Sequence, residues 1–186
     1  MRVIAGSRRS LPLKAPKGQD TRPTEDRTKE TLFNVLQNDI YNARFLDLFA
    51  GSGSIAIEAL SRGAALAVLV ENNAAAANCI KENLNFTKFT QEAVLMQTDV
   101  YLALEKLRAE EPFDIIFMDP PYKAGFEPGV MDVLSRMPYV TEDTIIVIEA
   151  SRHTEFEFLD ECGFEIYKSK VYKTSQHVFI RRKKTN

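Results

Sequence analysis

The 186-residue sequence is poor in the residues that cross-link small secreted proteins or bind metals. Its two cysteines, Cys79 and Cys162, form no CxxC pair, so neither a disulfide framework nor a zinc site is indicated. Its two histidines, His153 and His177, lie far apart and have no ligand-type neighbours. We interpret the cysteines as small apolar residues in a reducing compartment, and the histidines as ordinary surface or structural residues.

Long apolar segments are also absent. No run approaches the roughly 20 residues of a membrane-spanning helix, and the basic segment Met1 to Ser10 lacks the apolar part of a secretory signal. We therefore expect a cytoplasmic protein with no membrane partner. Hydrophobic residues make up 45% of the chain and charged residues 27%, which predicts one globular domain with a sizeable core.

The net charge of -2 conceals an uneven distribution. Residues 1–29 carry eight basic and three acidic side chains, and residues 168–186 carry seven basic side chains and no acid. The body between them therefore has a net charge of -14. Basic ends are either simply solvated, or they lie side by side and bind nucleic-acid phosphates. Charge alone leaves both interpretations open.

Hydrophobic patterning predicts five strand–helix units in succession. Strands are expected at residues 45–49, 66–70, 93–96, 113–118 and 144–148, and helices at 54–62, 73–85, 100–108, 128–137 and 154–161. The strands are short and apolar on both faces, which is typical of a parallel sheet covered by helices. Two last segments, 164–171 and 177–182, predict a closing antiparallel hairpin.

Two elements precede this α/β pattern. Residues 2–14 predict a small β-hairpin that turns near Gly6 and Ser7. A helix is expected after Thr24, which would serve as its N-cap. We accordingly divide the chain into an N-terminal hairpin and loop, residues 1–23, and an α/β domain, residues 24–186.

A glycine-containing loop, residues 47–54, joins the first strand of the α/β domain to its helix. Glycine lets backbone approach a ligand closely, and the following helix N-terminus favours anionic groups. The run Gly51 to Ala56 fits the dinucleotide fingerprint GxGxxG/A, so an NAD(P)-dependent oxidoreductase is one candidate. Asp47 argues against it because a carboxylate here would repel a pyrophosphate. The same carboxylate could hold the cationic amino-acid end of S-adenosylmethionine.

Acidic residues follow three consecutive strands. Asp47, Glu71 and Asp99 lie at the carboxyl edge, where open α/β sheets bind ligands. Glu71 is placed to accept hydrogen bonds from ribose hydroxyls and Asp99 from an adenine amino group, although Asp99 could equally cap its helix. Together they predict an S-adenosylmethionine site. Its other predicted members are Phe49, Ala50, Gly51, Ser52, Gly53, Asn72, Val100 and Asp119.

The fourth strand ends in Asp119-Pro120-Pro121-Tyr122, which we predict to be the catalytic loop. The prolines stiffen the loop because they lack N–H groups and fix φ. The Asp119 carboxylate and the Pro120 carbonyl could hold both N–H bonds of a base amino group and stabilise the positive charge that develops on its nitrogen. Tyr122 could stack on an unstacked base. A sulfonium methyl donor has its own leaving group, so we expect no metal requirement.

These segments together resemble the bacterial RsmD-type 16S ribosomal RNA guanine-N2 methyltransferases over nearly the whole chain. The matching segments are residues 2–6, 21–24, 26–27, 30–34, 46–53, 58–64 and 119–122. Many amino methyltransferases share the Asp-Pro-Pro-Tyr segment, whereas Arg22-Pro23-Thr24 and its helix are more particular to this family. The resemblance implies a Rossmann-like, seven-stranded methyltransferase sheet with a small N-terminal β-hairpin.

The resemblance also implies a function. The expected reaction is methylation at N2 of a flipped guanine in 16S rRNA, within small ribosomal subunits or assembly intermediates, and the chain length suggests a monomer. The N-terminal hairpin is expected to help grip the RNA. Candidate RNA-binding residues are Arg2, Arg8, Arg9, Lys14, Arg22 and Arg27. From the residues alone, Arg22 and Arg27 could instead steady the cofactor loop.

Two further alternatives remain open at this stage. An adenine-N6 methyltransferase of DNA or RNA could use the same catalytic loop, although no domain for reading a DNA sequence is evident. A non-catalytic RNA-binding module could retain a pocket of the same shape.

Overall fold

The computed structural model describes residues 1–16, 23–121 and 125–184. The strands within these ranges are β1 (Arg44–Asp47), β2 (Leu66–Val70), β3 (Ala93–Met96), β4 (Ile115–Met118), β5 (Ile145–Ser151), β6 (Phe164–Val171) and β7 (Ser175–Arg182). The α-helices are α1 (Pro23–Val35), α2 (Ser54–Ser61), α3 (Ala74–Thr87), α4 (Val100–Lys106), α5 (Phe126–Ser135) and α6 (Phe158–Glu161).

The seven strands form a single sheet in the order β3-β2-β1-β4-β5-β7-β6. Strands β1 to β5 pair in parallel, whereas β7 pairs antiparallel with both β5 and β6. The mostly parallel sheet with a C-terminal antiparallel hairpin is therefore confirmed. The strand order reverses where β1 meets β4, and such a switch point opens a crevice at the carboxyl ends of the strands.

Two hydrophobic clusters cover the two faces of the sheet. Leu46 and Ile116 belong to the cluster that includes residues of α4 and α5, whereas Phe45 and Phe117 belong to the cluster that includes residues of α1, α2 and α3. All four side chains are buried. Neighbouring strand residues thus pack into opposite layers, which explains why the strands are apolar throughout.

The N-terminal hairpin is smaller than the predicted span of residues 2–14. Its ladder consists of one isolated bridge between Arg2 and Pro12, with a hydrogen bond of 2.9 Å from the Val3 amide to the Leu11 carbonyl. A 3-10 turn at residues 6–8 occupies its tip. Gly6 has φ of +81° and lies so close to α2 that a Cβ there would stand 1.8 Å from the Ser61 carbonyl oxygen. The hairpin is therefore held by close packing against α2, and not by a longer ladder of paired strand residues.

A buried carboxylate fastens this hairpin to the body. Glu58 of α2 is fully buried and accepts hydrogen bonds from the amides of Ile4 at 2.7 Å and Ala5 at 3.0 Å. It also pairs with Arg62 at 2.8 Å and Lys29 of α1 at 3.6 Å. Burial lowers the pKa of Lys29, and the nearby Glu58 carboxylate opposes that shift. The cluster joins the hairpin, α1 and α2 into one unit.

Helix α6 is the element that departs most from its prediction. The sequence predicted a helix over 154–161, but α6 covers only Phe158–Glu161. The preceding backbone is bound instead by the β6–β7 turn and the start of β7. The Arg152 amide donates to the Thr174 carbonyl at 3.2 Å, and the Gln176 side chain donates to the Thr154 carbonyl at 3.2 Å. Tertiary hydrogen bonds therefore outweigh local helix propensity here. Across the described ranges, none of the helices is both long and apolar enough to cross a membrane.

Candidate active site

One open cleft of ≈ 1570 Å³ lies along the carboxyl edge of the sheet. It is lined by the carboxyl ends of β1, β2, β4 and β5, the first residues of β7, helix α1 and the end of the N-terminal hairpin. Ordinary small-molecule pockets measure about 300–1,000 Å³, so this cleft has room for a cofactor and a second substrate. We call the part beside β1 and β2, together with a small adjoining cavity beyond the end of β3, the cofactor half. The part beside β4, β5 and β7 is the acceptor half.

Asp47, the last residue of β1, lies at the centre of the cofactor half. Its side chain is 1% exposed, and neither carboxylate oxygen has a hydrogen-bond partner among the described residues. Burial raises the pKa of Asp47 to about 7; the nearby amides of Phe49 and Ala56 oppose the rise, although neither meets hydrogen-bond geometry. A buried carboxylate without a partner is unfavourable. A cationic ligand group would compensate it.

The glycine loop is open toward the cleft at Gly51. This residue has φ of +55°, and a Cβ there would meet nothing within 4 Å. Its amide donates to Oε2 of Glu71 at 2.9 Å, while Oε1 of Glu71 accepts from the Asn73 amide at 2.7 Å. Glu71 therefore fixes the loop after β1 to the end of β2, in addition to facing the cleft.

Asp99 caps α4, as the capping alternative anticipated. Its side chain accepts a hydrogen bond of 2.9 Å from the Tyr101 amide. It also lines a small cavity of ≈ 30 Å³ that adjoins the main cleft, together with Val100. The ring of Phe126 narrows this cavity by packing 5.4 Å from the ring of Phe49. The cavity has room for little more than water, so a purine ring would bind here only if Phe126 moved.

The structure brings together most residues of the predicted cofactor site. The main cleft is lined by Asp47, Phe49, Ala50, Gly51, Ser52, Glu71, Asn72 and Asp119, and the small cavity by Asp99 and Val100. Gly53 lines neither space; it has φ of +78° and packs toward Leu69 and Ile80 beneath the loop. The buried, unpartnered Asp47 beside an open glycine loop fits S-adenosylmethionine, whose amino-acid end carries an ammonium group.

The loop predicted to be catalytic reaches the acceptor half of the same cleft. Asp119, Pro120 and Pro121 all line it, with Asp119 exposed and Pro120 buried. Tyr122, the fourth predicted catalytic residue, lies outside the described residues. The proximity of this loop to the glycine loop follows from the pairing of β1 with β4.

Two residues of the acceptor half escaped the sequence analysis. Glu149 of β5 and His177 of β7 line the cleft, with Nε2 of His177 2.8 Å from Oε2 of Glu149. His177 is 1% exposed, and its Nδ1 lies 3.1 Å from the Tyr172 hydroxyl. From the sequence, His177 was interpreted as an ordinary surface or structural histidine. Asp47 was singled out because it is an acid at the end of a strand. The same criterion applied to the fifth predicted strand would have singled out Glu149.

The predicted RNA-binding residues occupy different environments. Arg9 and Arg27 are exposed, and Lys14 lines the cleft while pairing with Glu82 of α3 at 2.6 Å. Arg2 pairs with Asp26 at 3.5 Å. Arg22 lies outside the described residues.

Arg8 is committed to contacts within the protein. Its Nε donates to the Thr87 carbonyl at 2.7 Å, and its guanidinium stands 5.2 Å from the centre of the Phe89 ring. The basic N-terminal and C-terminal segments both reach the cleft, through Lys14 beside α3 and Lys173 in the β6–β7 turn. They border it from different elements.

Together, the sheet order, the acids at the strand ends and the Asp-Pro-Pro loop beside a glycine loop define an S-adenosylmethionine-dependent methyltransferase. The chain belongs to the family described as Conserved hypothetical protein 95, whose model matches residues 1–181. It is 35% identical over 150 residues to Ribosomal RNA small subunit methyltransferase D of Escherichia coli, and this alignment covers 81% of this chain and 74% of that protein. It is 39% identical over 156 residues to Bacillus subtilis YlbH, with 83% and 85% covered.

Solved structures agree with this placement. The Escherichia coli protein yhhF superposes with a TM-score of 0.83 at 30% identity, covering 100% of this chain and 99% of that one. A hypothetical protein of Thermus thermophilus gives a TM-score of 0.80 at 28% identity, covering 96% and 98%. The family resemblance stated from the sequence is confirmed, and the oxidoreductase and the non-catalytic module are set aside.

Proposed function

We propose that this protein transfers the methyl group of S-adenosylmethionine to the exocyclic N2 of a guanine in 16S rRNA of the small ribosomal subunit. One observation carries the proposal: an unpartnered buried carboxylate, Asp47, and the Asp119-Pro120 acceptors line the same cleft. The name of the Escherichia coli relative, which specifies small-subunit ribosomal RNA, supports rRNA as the substrate.

The cofactor half provides the binding groups for S-adenosylmethionine. When bound, this cofactor supplies a methyl group on a sulfonium that departs as a neutral thioether. Asp47 is suited to the ammonium group, because a cation would stabilise its ionised form. Glu71 is suited to the ribose hydroxyls, while its hydrogen bond to the Gly51 amide keeps the loop in place. The small cavity beside Asp99 and Val100 is the candidate adenine subsite, and in this proposal Phe126 moves aside to admit the purine ring.

The acceptor half holds the amino group to be methylated. The Asp119 carboxylate and the Pro120 carbonyl accept its two N–H bonds and direct the nitrogen lone pair toward the cofactor half. Both acceptors also stabilise the positive charge that develops on nitrogen. The stiff Pro120-Pro121 backbone keeps this arrangement at low entropic cost, so in-line positioning is the main catalytic contribution.

Basic side chains around the cleft are suited to contact the phosphates of the RNA backbone. Lys14 and Lys173 line the cleft, and Arg9 and Arg27 are exposed. The N-terminal hairpin and loop, residues 1–23, act in this proposal as an RNA-contacting extension of the catalytic domain, residues 24–186. We further propose that the protein works as a cytoplasmic monomer on small subunits or their assembly intermediates, without a metal.

The proposal is tested by labelled methyl transfer into RNA from cells that lack the protein. Free rRNA and small subunits are compared as acceptors, and the labelled base is identified after digestion to nucleosides. The expected product is N2-methylguanosine in small-subunit rRNA. Label in N6-methyladenosine would favour the adenine methyltransferase instead, and absence of label from both acceptors would refute an rRNA substrate.

A further inference from the structure

We infer that Glu149, held in place by His177, accepts the N1–H of the target guanine and thereby selects guanine over other purines. This inference rests on the proposed function of the cleft. It assigns a recognition role to a residue that lies outside the glycine loop and the catalytic loop.

Sheet register places Glu149 beside the catalytic loop. Met118 of β4 is paired with Ile148 of β5 in a parallel ladder. The residues that follow, Asp119 just past the end of β4 and Glu149 within β5, therefore lie at the same level of the sheet. Neighbouring strands lie about 4.8 Å apart. Both carboxylates line the acceptor half. A planar base held by Asp119 would therefore extend toward Glu149.

A chain of hydrogen bonds orients the Glu149 carboxylate. Glu149 and His177 are register partners in the antiparallel β5–β7 ladder, and Oε2 of Glu149 lies 2.8 Å from Nε2 of His177. Nδ1 of His177 lies 3.1 Å from the Tyr172 hydroxyl. Burial, with a contribution from Glu149, raises the pKa of Tyr172 to about 12, so the phenol keeps its proton. Tyr172 can then donate to Nδ1 of His177, and Nε2–H of the imidazole donates to Glu149.

The imidazole ring is fixed from the other side as well. The ring of Phe117, the residue two positions before Asp119, stands edge-on to His177 with centroids 6.3 Å apart. With Oε2 of Glu149 engaged by His177, the remaining oxygen, Oε1, has no hydrogen-bond partner among the described residues. The Glu149 side chain is 19% exposed. One acceptor oxygen is thus available toward the cleft.

The chemistry of the base edge makes this oxygen selective. Guanine presents N1–H and the N2 amino group side by side, three hydrogens that all need acceptors. Asp119 and Pro120 account for the two on N2, and an ionised carboxylate, which can only accept, suits the third. Adenine and 2-aminopurine carry a lone pair at N1, and a carboxylate would repel it. Sites built to pair a polar group reject analogues that lack it by large factors.

The test replaces Glu149 by its isosteric amide, Glu149→Gln, and compares two acceptors. Small subunits are reconstituted with rRNA that carries either guanine or 2-aminopurine at the mapped position, and kcat/KM is measured for each. 2-Aminopurine keeps the N2 amino group but has no hydrogen at N1. The wild type is expected to prefer guanine by at least about 100-fold. In Glu149→Gln the preference should fall at least about tenfold, because an amide N–H can donate to the bare N1.

Control variants separate recognition from folding. Glu142→Gln changes an exposed acid just before β5 and should leave the preference unchanged. His177→Ala should lower the preference by a smaller factor, about threefold or more, because Glu149 loses its orienting donor. S-Adenosylhomocysteine binding by calorimetry should stay within about twofold of wild type in all three variants, since none lies in the cofactor half.

The possible outcomes are distinct. If Glu149→Gln lowers kcat/KM equally for both bases, or leaves both unchanged, the recognition role is refuted while the proposed function stands. If the wild type methylates guanine and 2-aminopurine equally well, N1 is not read and the inference also fails. If the wild type methylates no guanine in rRNA, the proposed function fails and this inference fails with it.

Discussion

The two halves of the cleft differ in how their carboxylates are stabilised. In the cofactor half, Glu71 and Asp99 each accept hydrogen bonds from nearby backbone amides, whereas Asp47 is buried without a partner among the residues that the structure describes. In the acceptor half, the carboxylates of Asp119 and Glu149 line the open cleft, and Glu149 is oriented by another side chain, His177.

This difference matches the ligands that each half is proposed to hold. A cofactor that binds and leaves as an intact cation can be attracted by a carboxylate whose burial is unfavourable until the ligand arrives. An RNA base must be recognised by its edge and must then gain charge, which requires acceptors at fixed positions. Changes in one half should therefore leave the other half's binding unaffected.

The largest expected effect on ligand binding comes from Asp47→Asn. Removal of the carboxylate should weaken S-adenosylhomocysteine binding about 100-fold, because the ammonium group loses a charge-assisted partner. Calorimetry measures this loss, and RNA affinity in a filter-binding assay should stay within about twofold of wild type. The control Asp143→Asn, at an exposed acid before β5, should change neither. A parallel loss of RNA affinity in Asp47→Asn would show that the halves are not independent.

The pH dependence of cofactor binding gives the next largest effect. Since burial raises the pKa of Asp47 to about 7, a protonated Asp47 must release its proton to bind a cation. Affinity for S-adenosylhomocysteine should therefore fall by up to about tenfold per pH unit below pH 7. The slope should flatten in Asp47→Asn, measured by calorimetry between pH 5.5 and 8. An unchanged slope in that variant would assign the proton to another group.

The same pKa shift affects stability in the cofactor-free protein. A folded-state pKa above the unfolded value of 3.8 stabilises the fold below about pH 4, and this contribution is lost as pH rises to about 7. The free energy of unfolding of wild type should thus fall relative to Asp47→Asn by up to about 4 kcal/mol across that range. Urea unfolding at several pH values measures it.

Substitution of Gly51 by alanine should have a moderate effect. The new Cβ would project toward the open cleft at φ of +55°, so we expect about a tenfold loss of cofactor affinity together with about 1 kcal/mol of backbone strain. Gly163→Ala is the matched control. It has φ of +75° and open space around its Cβ position, but it does not line the cleft. Equal effects of both variants on cofactor affinity would mean that strain alone is responsible.

The smallest effect is expected for RNA binding by the hairpin. Arg9→Ala should weaken RNA affinity a few-fold and reduce the salt dependence by about one phosphate contact. Arg8→Ala should instead lower the free energy of unfolding by about 1–2 kcal/mol, because it removes the bond to Thr87 and the contact with Phe89. If both variants leave the salt dependence of RNA binding unchanged, the hairpin does not contact the RNA phosphates.

Local sequence signals sufficed for much of the fold and for the positions of the strand-end acids. The predicted bounds of β2 and β3 match the structure, because short apolar strands between turns are determined by nearby residues. Asp47, Glu71 and Asp99 could be placed at the cleft because each lies at or just beyond the end of its own strand. The shortening of α6 could not be anticipated, since it depends on hydrogen bonds from residues of β7 and its preceding turn.

The acceptor half was harder to predict for the same physical reason. Glu149 and His177 are 28 residues apart and meet only through the antiparallel register of β5 and β7. Asp47 likewise has no hydrogen-bond partner within the described ranges. This could not be predicted from the sequence, because it depends on burial by the whole sheet. A single acid or histidine in a sequence gives no sign of such pairing.

The most direct test of the central claim is methyl transfer by Asp119→Ala, measured under single-turnover conditions with small subunits from cells that lack the protein. The predicted result is a rate lower by about 100- to 1,000-fold, since one of the two acceptors that stabilise the developing charge is lost. S-Adenosylhomocysteine affinity should remain within about tenfold of wild type, because Asp119 also borders the cofactor half. Full methyl transfer by Asp119→Ala would contradict the assignment of this loop as the catalytic centre.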